Sequence, residues 1–249
     1  MTIIVFFHSS HDRDFQHYDT AYVEAHLRPY FPALVSYSRF VELMPRALVP
    51  LCSYLYTRKG RCTGITFVDS TSLAVCHNRR ISRHKVFEGY ATRGKSSMGW
   101  FFGFKRHLMV NDEGELLAFR VTTAEVNDQM PVGRMARGLW GQLFGDRGYI
   151  SRALHQALWA QGLGVSTLIR RNLKPRLRRL WDRLMLRQRF LIETINDQLK
   201  NISQIEHSRH RSLIGFMVHL VGGLSAYTFQ PKKPSLGLRY GASVLPVVM

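Results

Sequence analysis

Gly64-Ile-Thr-Phe-Val-Asp69 is an apolar, β-branched run that opens on a glycine and closes on a carboxylate. Residues of this type fit a pleated, buried surface, so the run predicts a strand over Ile65–Asp69. Reading outward, Trp100-Phe-Phe-Gly-Phe-Lys-Arg-His-Leu-Met-Val110 predicts a second strand. Asn111-Asp-Glu-Gly-Glu115 has the residue types of a tight turn, and Leu116-Leu-Ala-Phe-Arg-Val-Thr122 predicts a third strand paired with the second. Residues 129–139 can form a helix. Leu143-Phe-Gly-Asp146 reads as a fourth strand, again ended by an aspartate. Ser151 is a good N-cap for a helix reaching Gly162, and Val165-Ser-Thr-Leu-Ile169 reads as a fifth strand. Residues 175–203 are helix-favouring, with a break expected in the middle.

Three strands in a meander, followed by alternating helices and strands, is the RNase H-like order. The expected fold is therefore α/β: an RNase H-like catalytic domain with a mixed five-stranded sheet flanked by helices. Its carboxylates are the candidate chemistry. Asp69 and Asp146 each close a strand-like run, and Glu193 lies inside the amphipathic stretch Leu186–Ile202. Cleavage of a phosphodiester by two divalent cations, about 3.5–4 Å apart, needs hard oxygen ligands on both sides of the phosphate. Two strand-end aspartates and a helical glutamate would supply them if the first and fourth strands are neighbours. Arg189, at i−4, and Lys200, at i+7, share roughly one helical face with Glu193. Arg189 is expected to orient Glu193, and Lys200 to hold a DNA phosphate. Leu191, Ile195, Leu199 and Ile202 form the packing stripe beside them.

The 249-residue chain has 45% hydrophobic residues, sufficient for a sizeable core. Its formal net charge is +18, from 35 Lys and Arg against 17 Asp and Glu, which points to a polyanionic partner. The stretch from Arg170 to Arg189 holds nine Lys or Arg and a single Asp. A solvated helix face normally mixes signs, so Arg170, Arg171, Lys174, Arg176, Arg178, Arg179 and Arg183 are read as contacts to a DNA backbone. Residues 76–97 are read as a long, basic surface loop, in which Arg79, Arg80, Arg83 and Lys85 have the same role. Trp100, Phe101, Phe102 and Phe104 are assigned to the core, and His77, His84 and His107 to the surface or to phosphate contacts.

No membrane partner is expected. The apolar stretch Ile214–Phe229 is short for a span and contains His219 and Gly222-Gly223, so it reads as a buried core helix. Thr2-Ile-Ile-Val-Phe-Phe7 lacks the basic flank and cleavage site of a signal peptide. Cys52, Cys62 and Cys76 are irregularly spaced, which fits a reducing cytoplasm, and Cys76-His77 has no partner pair for zinc. Residues 1–60 are taken as a helical N-terminal region. Tyr18, Tyr22, Val23, Ala25 and Leu27 fall near one face of a first helix, and Phe40, Leu43, Met44, Ala47 and Leu48 suggest another. The catalytic domain is assigned to residues 61–236, and residues 237–249 to an unassigned tail.

The motifs add a family resemblance. Glu193, with arginine four before and lysine seven after, resembles the Tyr-Arg-Glu-Lys signature of DDE-type bacterial insertion-sequence transposases. Asp146-Arg-Gly-Tyr149 resembles their second-aspartate motif, and Val68-Asp69-Ser-Thr71 their first. Cys76-His-Asn-Arg-Arg80, Gly99-Trp-Phe-Phe-Gly-Phe-Lys105 and Ile195-Asn-Asp-Gln-Leu-Lys-Asn-Ile202 are similar to insertion-sequence family nine-eight-two. The resemblance covers roughly residues 10–235. It implies two Mg²⁺ ions held by Asp69, Asp146 and Glu193, with Mn²⁺ as a substitute. It also implies cleavage and strand transfer of transposon-end and target DNA, a homodimer or higher multimer on DNA, and a cytoplasmic, nucleoid-associated protein. There are two departures. Leu186 stands where the signature has tyrosine, and Met1 falls inside the usual helical N-terminal region, so the chain is expected to be truncated there.

Two other functions compete: an RNase H-fold nuclease that cuts without rejoining, and an inactive DNA-binding remnant. Asp128 in Glu125-Val-Asn-Asp128 competes with Asp146 for the second site, but ends no apolar run. Asp197 competes with Glu193, and is read instead as solvated or paired with Lys200.

Overall fold

The computed structural model describes residues 1–96, 99–168, 180–206 and 210–238. The chain opens with helix α1 (Thr2–Phe7) and α2 (Phe15–Tyr18), which continues as a π-helix over Asp19–Leu27. Then come α3 (Tyr37–Leu43), a 3₁₀ turn at Met44–Ala47 and α4 (Leu48–Thr57). Tyr18 and Val23 are fully buried, whereas Tyr22 and Ala25 face outward. The face predicted at α-helical spacing is thus replaced by an i, i+5 pair, which a π-helix brings into line. Phe40, Met44, Ala47 and Leu48 pack against the main core at the spacing the sequence predicts.

Among the described residues the sheet has six strands rather than five: β1 (Ile65–Cys76), β2 (Thr92–Ser96), β3 (Gly99–Asn111), β4 (Leu116–Thr123), β5 (Gly141–Gly145) and β6 (Leu163–Thr167). The extra strand, β2, lies inside the expected loop 76–97, which also holds a 3₁₀ helix at Asn78–Arg83. Both β2 and β4 pair with β3, the first along Gly99–Gly103 and the second along Phe104–Val110. The sheet is therefore five positions wide, in the order β2 or β4, then β3, β1, β5 and β6. Gly103 sits where β3 changes partner; a Cβ there would lie 2.1 Å from the Leu73 carbonyl oxygen, which restricts the position to glycine. The strands β1, β3 and β4 are antiparallel neighbours, while β1, β5 and β6 are parallel. This is a mixed α/β architecture with a curled mixed sheet, compatible with an RNase H-like domain.

Helices cover both faces. The predicted helix at 129–139 shrinks to one turn, α5 (Val132–Met135), because Pro131 and the two glycines Gly133 and Gly138 favour turns around it. Next come α6 (Arg152–Trp159), whose Ser151 hydroxyl accepts the Leu154 amide, and α7 (Leu180–Arg187), α8 (Phe190–Asn201) and α9 (Leu213–Thr228). One apolar layer joins Ile65, Phe67, Leu108 and Phe144 of the sheet to α4, α8 and α9. The other joins Val68, Met109 and Leu143 to α5 and α6. Alternate strand residues face opposite layers, and this parity positions the site.

Candidate active site

Asp69 follows Phe67 by two residues and so shares its face, the one covered by α8. It is not at a strand end. β1 runs on to Cys76 because β3 continues to pair with it, from Thr66↔Asn111 to Cys76↔Phe102. What ends is the parallel partner: the β1–β5 ladder runs Ile65↔Gln142, Thr66↔Leu143, Phe67↔Phe144. Asp146 lies one residue beyond β5, two after Phe144, so Asp69 and Asp146 occupy equivalent steps of adjacent strands. Asp146 also caps the following 3₁₀ turn, its Oδ1 accepting the Gly148 amide at 2.6 Å.

Glu193 lies in the first turn of α8, not in mid-helix, because the amphipathic stretch breaks between α7 and α8 at Gln188-Arg189. A carboxylate is favoured there by the helix dipole. Arg189 Nη2 donates to Glu193 Oε1 at 3.3 Å; the arginine side chain is largely buried, while the glutamate is 57% exposed. Lys200 Nζ binds Glu206 at 2.9 Å, so it is neither paired with Asp197 nor directed to Glu193. Leu186, at the tyrosine position of the signature, is buried in the core.

Asp69 is the electrostatic centre. Burial pushes its carboxyl up to about 6, opposed by the Ser70 amide and by Arg189, and reinforced by the negative charges of Asp146 and Glu193. Asp146 and Glu193 thus lie near enough for their charges to be felt at Asp69. Among the described residues, no group of three His, Cys, Asp or Glu side chains is drawn together closely enough to hold a metal ion. In donor type the three fit a hard divalent cation, and a buried carboxylate facing two like charges is the group such a cation would stabilise.

Two polar residues beside Asp69 escaped the sequence reading. Asn196 Nδ2 donates to Asp69 Oδ2 at 2.7 Å, and Arg106 Nη2 donates to Asn196 Oδ1 at 2.5 Å. Both are buried. Their signals were Asn196 at i+3 from Glu193, and an arginine at an inward position of the strand, between Phe104 and Leu108.

Asp128, the competitor, accepts an ion pair from Lys105 at 3.0 Å. Tyr149 is buried beside the aspartates; burial first, then the charges of Asp69 and Asp128, hold its hydroxyl neutral. Two assignments are corrected. Trp100 is 65% exposed, with Lys95 Nζ 6.0 Å from its ring, because the start of β3 lies beyond its last pair with β1, Cys76↔Phe102; Phe101 and Phe104 are buried. His107 is buried, not superficial: it shares the inward parity of Met109, binds Thr122 Oγ1 at 2.9 Å, and is pushed down to about 4 by burial. His77 is exposed and caps the 3₁₀ helix, while His84 stacks on Phe87.

Arg79, Arg80, Arg83 and Lys85 are exposed on and just after that 3₁₀ helix, and Arg183 is exposed on α7. Arg170, Arg171, Lys174, Arg176, Arg178 and Arg179 lie outside the described residues. Among the described residues no helix is long and apolar enough to cross a membrane; α9, the expected core helix, is mostly buried.

The family model described as Transposase DDE domain matches residues 59–213, more than half of the chain and a range that contains all three carboxylates. The chain belongs to this transposase family. A search of curated proteins finds no match. Membership makes the protein a transposase by family, a nuclease-type enzyme whose partner is DNA.

Proposed function

We propose that this transposase cuts DNA at the ends of an insertion sequence and joins those ends to a target, using Asp69, Asp146 and Glu193 as its metal-binding triad. The observation that carries the reading is the parallel pairing of β1 with β5, which sets Asp69 level with Asp146 beneath α8. The strand order supports an RNase H-like fold, and the motifs around Cys76, Gly99 and Ile195 support kinship with insertion-sequence family nine-eight-two.

Hard carboxylate oxygens suit Mg²⁺, with Mn²⁺ as a substitute. A bound pair of such ions supplies an activated water, or 3′ hydroxyl, and stabilises the leaving oxygen. The chain's own residues set the terms. Asp69 is held rigidly on a central strand, and a cation would offset the burial and like charges that raise its carboxyl to about 6. Arg189 fixes Glu193 through their ion pair. The exposed cations Arg79, Arg80, Arg83, Lys85 and Arg183 hold the phosphate backbone without reading sequence. A homodimer or higher multimer on DNA would bring two ends to one target.

A supercoiled-plasmid assay with and without Mg²⁺, followed by joining of a labelled element end to target DNA, tests this. Metal-dependent cutting with no joining would reduce the protein to a nuclease. DNA binding with neither would leave an inactive remnant.

A further inference from the structure

Arg106 is a fully buried cation, and among the described residues its Nε and Nη1 have no hydrogen-bond partner. Leaving a buried guanidinium so poorly satisfied does not favour folding, since an apolar side chain of similar size usually serves stability as well or better. Its place explains what it can do instead. In the β1–β3 ladder Asp69 faces Leu108, and Arg106 lies two residues along β3 on the same face, the diagonal neighbour of Asp69. Asn196 of α8 lies between them and bonds both.

The bonding leaves the amide one orientation. Arginine can only donate, and an ionised carboxylate can only accept. Asn196 must therefore turn its oxygen to Arg106 and its NH₂ to Asp69. With one oxygen of Asp69 tied to α8, the rotation of that carboxylate is fixed. Glu193, one turn earlier on the same helix, is placed by the same attachment.

We propose that Asn196, with its amide oriented by Arg106, is the positioning residue for Asp69, and that the pair sets the affinity of the triad for its divalent cation. This rests on the assignment of Asp69 as a metal ligand. Hydrogen-bond partners of a ligating carboxylate typically contribute tenfold to hundredfold in metal affinity.

The test is Mn²⁺ binding to the purified full chain without DNA, followed by the loss of the free-ion paramagnetic resonance signal, with melting temperature measured in parallel. Wild type should bind, and Asp69→Asn should abolish that binding. Asn196→Ala should weaken it tenfold or more. Since that change strands the Arg106 charge and can unfold the protein, the double variant Arg106→Met with Asn196→Leu is made as well. It replaces both polar partners with apolar groups of similar volume, and should keep the wild-type melting temperature while losing the same tenfold or more in Mn²⁺ affinity. The Mg²⁺ concentration for half-maximal cleavage should rise in step. A folded double variant that binds Mn²⁺ as tightly as wild type overturns the inference and leaves the triad intact. Binding that Asp69→Asn does not disturb sinks the triad itself, and the inference with it.

Discussion

Asp69 and Asp146 stand at the same step of two adjacent parallel strands, each two residues beyond the paired Phe67 and Phe144. Parallel pairing of β1 and β5 forces this relationship, and it cannot be altered without shifting the register and turning Phe67 and Phe144 out of the core. The core thus fixes the step shared by the two aspartates, while Glu193 stands in the first turn of α8, which packs against β1.

Each carboxylate should be indispensable to chemistry but not to binding. Asp69→Asn, Asp146→Asn and Glu193→Gln keep shape and remove one negative charge. Each is expected to abolish Mg²⁺-dependent cleavage while DNA affinity stays within a few-fold of wild type. Filter binding beside a plasmid-nicking assay measures both. Near-normal cutting by any one variant would remove that residue from the triad.

The exposed cluster after β1 should act through charge alone. Neutralising Arg79, Arg80, Arg83 and Lys85 together should weaken affinity for all duplex sequences. It should also flatten the dependence of log K on log salt by about 0.9 for each phosphate that is no longer neutralised. If the weakening were confined to one preferred sequence at constant slope, these side chains would be reading bases instead.

Much of the sheet was legible because strand patterns are local. Ile65–Val68 and Trp100–Val110 announce themselves by residue type, and Asn111–Glu115 by turn chemistry. The missing strand, Thr92–Ser96, is Thr-Arg-Gly-Lys-Ser, with no apolar residue to mark it; it exists only because the first part of β3 offers it a free edge. The same holds at the site. Asp69 and Glu193 stand out as candidates in the sequence, though neither lies at the strand end or in the mid-helix position read there, whereas Asn196 and Arg106 gain meaning only when β1, β3 and α8 are brought together. Trp100 misleads for the opposite reason: an aromatic run reads as core, and nothing local reveals that β3 starts beyond the end of its ladder with β1.

Gly223 should be intolerant of any side chain. It lies in the buried part of α9, and a Cβ there would sit 2.3 Å from Ile205 Cγ2, within the segment that α9 holds against the core. Gly223→Ala would gain helix propensity, worth about 1 kcal/mol, but must displace Ile205. Overpacking of this kind costs roughly 1–3 kcal/mol. The expected net result is a lower urea midpoint with an unchanged slope, and the double variant Gly223→Ala with Ile205→Leu, which lacks the Cγ2 branch, should recover part of the loss. A Gly223→Ala protein more stable than wild type would show that the segment moves aside freely.

Acid should loosen the join between α1 and α9 through His8. Its ring is buried, Nδ1 donates to the Ser203 carbonyl at 2.8 Å, and Nε2 has no partner among the described residues. His219 on α9 lies against it, at 4.4 Å between ring centroids, and His210 lies against His219 in turn at 4.6 Å. Burial pushes His8 down to about 4; the Ser203 bond opposes this, and the charge of His210 adds to it. The unfolded chain, with an ordinary histidine near 6.5, therefore binds the proton more readily than the folded one. Stability from the neutral ring is full above pH 6.5 and is lost as pH falls from there towards 4, to a total of roughly 3 kcal/mol. Urea unfolding at pH 7.5, 6, 5 and 4.5 should show this decline in wild type and a shallower one in His8→Gln, which cannot titrate. Parallel declines in the two proteins would place the acid sensitivity elsewhere.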